Sequence, residues 1–139
     1  MAAELERTVP AEIRELPGLL DAVGGFLHGE GLEGRDITRI LIAVDESFSN
    51  IVYHGYRGKS GSITLRCRAT PEEVDVILRD RARAFDPTIL PLPNRNGGLA
   101  QRHPGGLGVY LIHNFMDGVS YEYRDGVNIL TMKMRVDRK

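Results

Sequence analysis

Hydrophobic residues recur at helical spacing in two stretches of the first half of the chain. From Pro10 to about His28, and again over Ile40–His54, apolar side chains stand three or four positions apart. That spacing places them on one face of an α-helix. The pattern therefore predicts two amphipathic helices, which a glycine-rich break at residues 28–34 separates.

Five other stretches alternate between apolar and polar residues, which is typical of strands with one buried face. The second and third are joined by a four-residue turn and the last two by a turn at residues 124–126, so each pair is predicted to form a hairpin. The predicted strands are Leu5–Val9, Ser62–Ala69, Val74–Asp80, Val119–Tyr123 and Val127–Val136.

A long segment between the two hairpins, Thr88–Pro104, is rich in proline, asparagine and glycine and has no apolar period. A loop of this length in a compact domain is usually functional, so we interpret residues 88–104 as a lid. A third helix is predicted at Gly106–Met116. The resulting order, β-α-α-β-β-lid-α-β-β, predicts an α+β fold. We expect a two-layer α/β sandwich whose mixed, mostly antiparallel sheet carries the helices on one face.

Length and charge narrow the class of protein. A chain of 139 residues fits one domain, 1–139, and it has a net charge of −1 and no long apolar run. We therefore expect no direct nucleic-acid partner, no membrane anchor and a location in the cytoplasm. The single cysteine, Cys67, stands in an alternating stretch and is interpreted as a strand residue rather than a catalytic thiol.

The candidate chemistry lies on the second predicted helix. Glu46 and Asn50 are four residues apart, on one face at the border of the apolar stripe, beside the small residues Ala43 and Ser47. A carboxylate and a carboxamide one turn apart can serve a proton transfer and a metal ion together. The spacing alone also fits two solvated side chains, although Glu46 has no oppositely charged neighbour three or four positions away along the helix.

Three motifs follow one another in a fixed order: DESFSNIVYHGY at residues 45–56, RDRARAFDP at residues 79–87 and HPGGLGVYLIHNFMDGVSY at residues 103–121. Together they resemble the N-box and the two glycine boxes of the GHKL (Bergerat-fold) ATPases. More narrowly, they are similar to the anti-sigma-factor serine/threonine kinases of bacterial partner-switching systems. The resemblance covers nearly the whole chain, from Leu5 to about Arg135.

The resemblance implies a site for ATP and Mg²⁺. Glu46 would be catalytic and help to remove a proton from the phosphate acceptor, while Asn50 would complete the coordination of the magnesium ion. Asp80, at the end of a predicted strand, would accept a hydrogen bond from the adenine amino group; a turn-capping aspartate is the alternative for this residue. By the same resemblance the nucleotide site would also include Ala82, Phe85, Gly105, Gly106, Leu107 and Gly108.

Ala82 stands where the family normally has glycine. Its methyl group can be accommodated if the backbone angle φ is negative, or it can crowd the adenine. In the last motif, Gly105, Gly106 and Gly108 would let backbone N–H groups approach phosphate oxygens at the start of a helix. Close packing of that helix on its neighbour is the alternative for these glycines.

The resemblance implies a protein kinase that phosphorylates a STAS-domain anti-anti-sigma protein and sequesters a sigma factor, and it favours a homodimer. A second hypothesis, which Ala82 suggests, keeps the fold but not the chemistry. In that case the protein is a binding module that captures a sigma factor or a STAS partner without phosphoryl transfer.

Overall fold

The computed structural model describes residues 2–89 and 112–136 of the chain. Within these ranges the chain forms five strands and two long helices. Their bounds are β1 Ala3–Pro10, α1 Leu16–Gly29, α2 Gly34–Asn50, β2 Ser62–Ala69, β3 Glu73–Asp80, β4 Gly118–Arg124 and β5 Val127–Arg135. Shorter helical segments are the 3₁₀ turns Ile13–Glu15 and Pro87–Ile89 and the π-helical turn Ile51–Tyr56, and residues 112–115 are also helical.

The described strands form one sheet in the order β1-β2-β3-β5-β4, and every ladder in it is antiparallel. Hairpins connect β2 to β3 and β4 to β5, as predicted, and a hairpin joins antiparallel strands. Strands β3 and β5 lie side by side, and their register sets Asp80 opposite Asn128. The predicted α+β sandwich is confirmed, with a sheet that is antiparallel throughout its described strands rather than mixed.

The core lies between the sheet and the two helices. Along β3 every second residue is buried, and β2 and β5 alternate in the same way. Fully buried side chains of α1 and α2 join this cluster, among them Val23, Leu27, Ile40, Val44 and Phe48. Burying each such side chain contributes about 1.5–3 kcal/mol. The alternate residues of the strands are largely half-buried or exposed, so the described helices cover one face of the sheet, as predicted.

Two helix boundaries differ from the prediction. Helix α1 begins at Leu16 rather than Pro10, because the 3₁₀ turn Ile13–Glu15 precedes it. The side chain of Ile13 packs against the core from that turn. The helical spacing of apolar residues in the sequence therefore begins before the helix itself does. Helix α2 ends at Asn50, where the chain changes to the π-helical turn.

The predicted lid, residues 88–104, and most of the predicted helix Gly106–Met116 lie outside the described residues. Of that helix, residues 112–115 are described and are helical. In the described ranges no helix combines the length and the apolar character that a membrane crossing requires.

Candidate functional site

Asn50 closes α2 and is almost completely buried, with 3% of its surface exposed. Its Nδ2 atom has no hydrogen-bond partner among the described residues. An unpaired polar group in a protein interior costs about 1–3 kcal/mol, so its presence calls for an explanation. Rotating the carboxamide by a half-turn about its last side-chain bond exchanges the positions of its nitrogen and its oxygen. Either atom can therefore occupy the unpaired position and face a ligand. A ligand that supplies that partner would remove the cost.

Glu46 lies one helical turn before Asn50 and is half-buried. Burial, together with the negative charge of neighbouring Asp45, raises the pKa of the Glu46 carboxyl group above its ordinary value. A carboxylate whose pKa is raised accepts a proton more readily near neutral pH. The local environment therefore gives Glu46 the property that its predicted catalytic role requires.

Asp80 ends β3 and is buried, with 6% of its surface exposed. Its Oδ1 atom accepts two hydrogen bonds, from the backbone N–H of Ala82 and from Nδ2 of Asn128, each 2.9 Å long. Burial raises the pKa of Asp80, and these two hydrogen bonds oppose that shift. Since both bonds fall on one oxygen, the carboxylate keeps a second oxygen with which to accept a further donor.

Asn128 is a site residue that the sequence analysis missed. Besides binding Asp80, its Nδ2 atom lies 3.1 Å from the carbonyl oxygens of Ala82 and Arg83. Its Oδ1 atom accepts hydrogen bonds from the backbone N–H of Phe85, at 3.3 Å, and from the hydroxyl of Tyr121. One buried side chain thus fixes the loop that follows β3. The available signal was an asparagine on the otherwise apolar buried face of β5.

Phe85 is held through both its backbone and its ring. The Tyr121 hydroxyl accepts a 3.1 Å hydrogen bond from the Phe85 N–H, so Tyr121 is a second residue that the sequence analysis missed. The Phe85 ring stacks on His54 with 5.5 Å between ring centroids and 18° between planes. The guanidinium of Arg83 lies 5.7 Å from the centre of the same ring. The predicted site residue Phe85 therefore connects the loop after β3 to the end of the N-box.

One narrow cavity brings the predicted residues of α2 and β3 together. Asn50 and Asp80 both line it, and Phe85 forms part of its wall. Glu46 is not among the described lining residues, although it lies on the same helix one turn away. The described lining is Ser47, Asn50, Ile51, Gly55, Asp80, Arg83, Phe85, Pro87, Tyr121, Asn128 and Leu130.

Ala82 is buried and does not have a positive φ; among described non-glycine residues only Arg57 and Asp125 do. Its methyl group lies close to Gly55, because a Cβ added at Gly55 would be 3.1 Å from it. Ala82 is absent from the described lining of the cavity between Asn50 and Asp80. The backbone condition under which the alanine was expected to be accommodated is therefore met.

The remaining predicted residues fall into two groups. Gly105, Gly106, Leu107 and Gly108 lie outside the described residues, so their predicted contact with phosphate stays a prediction. Cys67 is a buried residue of β2, as predicted, and burial raises the pKa of its thiol to about 12. A thiol with that pKa is unreactive at neutral pH.

A comparison with known families identifies the fold and its site. The family of histidine kinase-like ATPase domains matches residues 9–134. The chain belongs to this ATPase family. The match includes Glu46, Asn50, Asp80 and Asn128, which are the residues that carry the geometry described above. The resemblance to GHKL ATPases that the three motifs predicted is confirmed.

Curated relatives of this ATPase domain are named protein kinases. The serine/threonine-protein kinase BtrW of Bordetella bronchiseptica is 37% identical over 94 residues, which are 67% of this chain and 66% of that protein. The serine-protein kinase RsbW of Bacillus cereus is 26% identical over 136 residues, covering 94% of this chain and 84% of the relative. The chain therefore spans just under two thirds of BtrW and most of RsbW.

A solved structure shares the fold. The crystal structure of the RsbU and RsbW domains of Rv1364c from Mycobacterium tuberculosis matches 98% of this ATPase domain with a TM-score of 0.64 and 20% sequence identity. The match covers 32% of that longer chain. This structural match establishes a common architecture, and sequence identity this low establishes nothing about activity.

Proposed function

We propose that this protein is a serine/threonine kinase that uses Mg-ATP to phosphorylate a STAS-type anti-anti-sigma protein. The observation that carries the proposal is the buried Asn50 carboxamide with an unpaired nitrogen, in the same cavity as the Asp80 carboxylate. Glu46, with its raised pKa, lies one turn away on the same helix. The relatives named serine kinases support the same conclusion.

The residues present fit Mg-ATP by their chemistry. Magnesium prefers oxygen ligands and usually takes only one or two from the protein, so the single carboxamide oxygen of Asn50 suffices. The second oxygen of Asp80 is suited to accept a hydrogen bond from the adenine amino group, whereas guanine has an acceptor oxygen at the corresponding position. Magnesium-bound ATP would provide the phosphoryl group with part of its charge already neutralised.

The chain's own residues position the reactants and take up one proton. Glu46 accepts the proton of the acceptor hydroxyl at its carboxylate, and Asn50 holds the metal-bearing end of the nucleotide. Asp80 fixes the other end, with Asn128 holding that carboxylate in place. Phosphoryl transfer requires little more from the protein than such positioning and charge stabilisation.

The proposal extends to partner switching. The unphosphorylated STAS protein binds the kinase and displaces a sigma factor that the kinase otherwise sequesters. Phosphorylation adds charge to the STAS protein at the contact and weakens the complex. We further propose that residues 1–139 fold as one domain, and that the kinase forms a homodimer and acts in the cytoplasm, where a sigma factor is found.

The second candidate is a binding module of the same fold that captures a sigma factor or a STAS protein without phosphoryl transfer. The residue that favours it is Ala82, in the position where the ATPase family normally has glycine. Against it stands the position of Ala82, which is not among the described residues that line the cavity between Asn50 and Asp80.

A transfer assay separates the two candidates. The purified protein is incubated with Mg-ATP labelled at the γ-phosphate and with a STAS protein from the same genome, and the partner is examined for label. Label on a serine or threonine that Glu46→Gln abolishes is the result expected of a kinase. A stable complex that never becomes labelled would establish the binding module instead.

A further inference from the structure

A second cavity, of about 550 Å³, lies beside the one between Asn50 and Asp80. The two share Gly55 and Arg83 as lining residues. Four cationic residues line the second cavity, and its described lining contains no acidic residue. These residues are Arg57, Lys59, Arg81 and Arg83, and we call the cavity that they line the basic pocket. This concentration of charge is local, since the whole chain has a net charge of −1.

The basic pocket is built from two segments that one tyrosine ties together. Arg57 and Lys59 follow the π-helical turn, whereas Arg81 and Arg83 follow β3. The hydroxyl of Tyr56 donates a 2.6 Å hydrogen bond to the carbonyl of Ser62 and accepts one of 3.0 Å from the backbone N–H of Arg81. The backbone that carries the cations is thus fixed before any ligand arrives.

The backbone of Arg57 and Lys59 and the guanidinium of Arg83 are also held in place. Arg57 has φ 55° and Gly58 has φ 87°, and the N–H of Lys59 donates a 3.0 Å hydrogen bond to the carbonyl of Tyr56. The Nε atom of Arg83 donates a 3.0 Å hydrogen bond to the carbonyl of His54. The left-handed conformation of Arg57 is that of a residue closing a helical turn, and the hydrogen bond from Nε is what fixes the guanidinium of Arg83.

The charges of the basic pocket are not neutralised within the described part of the protein. The ion pairs found there involve Arg14, Arg66, Arg68 and Arg124, and none of the four pocket cations. The carboxylate of Asp80, although nearby in sequence, is buried and bound by Ala82 and Asn128. Clustered like charges repel, so an anion that enters the pocket is attracted by all four.

We propose that the basic pocket binds a phosphate-bearing small molecule, at a site separate from the Mg-ATP site. Its volume is within the range of about 300–1,000 Å³ that is usual for small-molecule sites. Three of the four cations are arginines, whose planar guanidinium groups match phosphate oxygens in pairs, and the Ser60 hydroxyl adds a neutral donor. A nucleic acid would require a basic stripe along the surface, whereas these cations surround a cavity.

Calorimetry with tripolyphosphate, in the absence of magnesium, tests this proposal. The pocket variant carries Arg57→Asn and Lys59→Gln, because asparagine tolerates the positive φ at position 57 and neither residue lines the cavity at Asp80. Removing two exposed cations is expected to weaken binding about tenfold. The matched control carries Arg14→Gln and Arg124→Gln, which remove the same charge elsewhere on the surface and should change binding less than about twofold.

Two further arms separate the basic pocket from other anion sites. The pocket variant should bind Mg-ATP as tightly as the wild-type protein, because Arg57 and Lys59 do not line the cavity between Asn50 and Asp80; if it loses Mg-ATP affinity about as strongly as tripolyphosphate affinity, the basic pocket is part of the Mg-ATP site and the proposal is wrong. An equal loss in the control variant, or tighter binding of a short single-stranded oligonucleotide than of tripolyphosphate, would also overturn it. Neither result bears on the kinase proposal, whose test uses Mg-ATP and Glu46.

Chemical protection provides a measurement that needs no variant. Lys59 is exposed, and the native protein can be acetylated with and without tripolyphosphate and analysed by mass spectrometry. Binding in the basic pocket should lower acetylation of Lys59 about tenfold while Lys133, on the exposed face of β5, is unaffected. Equal acetylation of Lys59 in both samples would contradict the proposal even if the pocket variant fails to fold.

Discussion

The methyl group of Ala82 occupies the space that a side chain on Gly55 would need, since a Cβ built on Gly55 would lie 3.1 Å from it. A methyl group at position 55 would therefore be crowded by the one at position 82, and the two segments would have to move apart by a few tenths of an ångström. Gly55 belongs to the π-helical turn that follows the N-box, and Ala82 belongs to the loop after β3. The absence of a side chain at Gly55 therefore leaves room for the methyl group of Ala82 on the facing segment.

A double-mutant cycle tests this packing relationship. Ala82→Gly is expected to leave the affinity for Mg-ATP within about threefold and to lower the free energy of unfolding by about 0.5–1 kcal/mol, through added backbone freedom. Gly55→Ala should cost about 1–3 kcal/mol, because the added methyl group would crowd that of Ala82 and force the two segments apart by a few tenths of an ångström. In the Ala82→Gly background the Gly55→Ala change should become neutral or favourable, because alanine is the better helix former.

Urea unfolding of the four proteins measures the coupling between the two positions. Simple additivity would contradict the packing relationship. A marked gain in Mg-ATP affinity for Ala82→Gly alone would mean that the methyl group does obstruct the nucleotide, and it would strengthen the case for the binding module.

The sequence predicted the part of the site that depends on local spacing. Glu46 and Asn50 are four residues apart on one helix, so an apolar period suffices to place them on a common face. Asn128 could not be found in that way, because its role depends on the pairing of β3 with β5, whose facing residues Asp80 and Asn128 are 48 positions apart. Hairpin patterns predicted β2–β3 and β4–β5 but did not determine which strand of one hairpin would pair with the other.

Sequence patterns also miss the role of a side chain that acts through a polar atom bound to a distant segment. The ring of Tyr56 is buried, but its hydroxyl joins the start of β2 to the loop after β3. Composition and hydrophobic periodicity both count a tyrosine as an apolar residue. The partners of a hydroxyl group become visible only when distant segments are placed in space.

Asn128 should be essential for the stability of the loop that follows β3. Asn128→Ala removes the partner of the Asp80 carboxylate, of the Phe85 N–H and of two backbone carbonyls, and we expect a loss of about 2–4 kcal/mol in the free energy of unfolding. Tyr121→Phe removes one hydroxyl from the same network and should cost about 1 kcal/mol. Urea titration gives both values, and equal effects of the two variants would refute the central position of Asn128.

Glu46→Gln should separate catalysis from binding. The substitution removes the proton acceptor and should lower kcat by about 10²–10⁴-fold while leaving the affinity for Mg-ATP nearly unchanged. Since burial raises the pKa of Glu46, the ionised carboxylate is disfavoured in the folded protein, so the neutral glutamine should also raise the thermal unfolding temperature. Single-turnover phosphorylation and thermal unfolding measure the two effects. Asp45→Asn is the matched control, because it changes a neighbouring carboxylate without removing the proposed base.

The buried carboxyl group of Asp80 should make stability and nucleotide affinity respond oppositely to pH. Its pKa is raised, so in the window between the ordinary value of about 3.9 and the raised value the folded protein binds more protons than the unfolded chain. The stability that this group contributes is therefore fully present at low pH and is lost as pH rises through the raised pKa. Affinity for Mg-ATP should change in the other direction, because protonation of Asp80 weakens the acceptor for the adenine amino group.

Thermal unfolding with and without Mg-ATP, between about pH 4 and 7, follows both trends at once. For the wild-type protein the stabilisation by Mg-ATP should shrink as pH falls. In Asp80→Asn that stabilisation should be small at every pH, because the carboxamide presents an N–H₂ group or a single oxygen that Ala82 and Asn128 already occupy. Glu46→Gln removes the other carboxyl group with a raised pKa and should keep the wild-type dependence. If Asp80→Asn retains the full, pH-dependent stabilisation by Mg-ATP, Asp80 does not recognise the adenine.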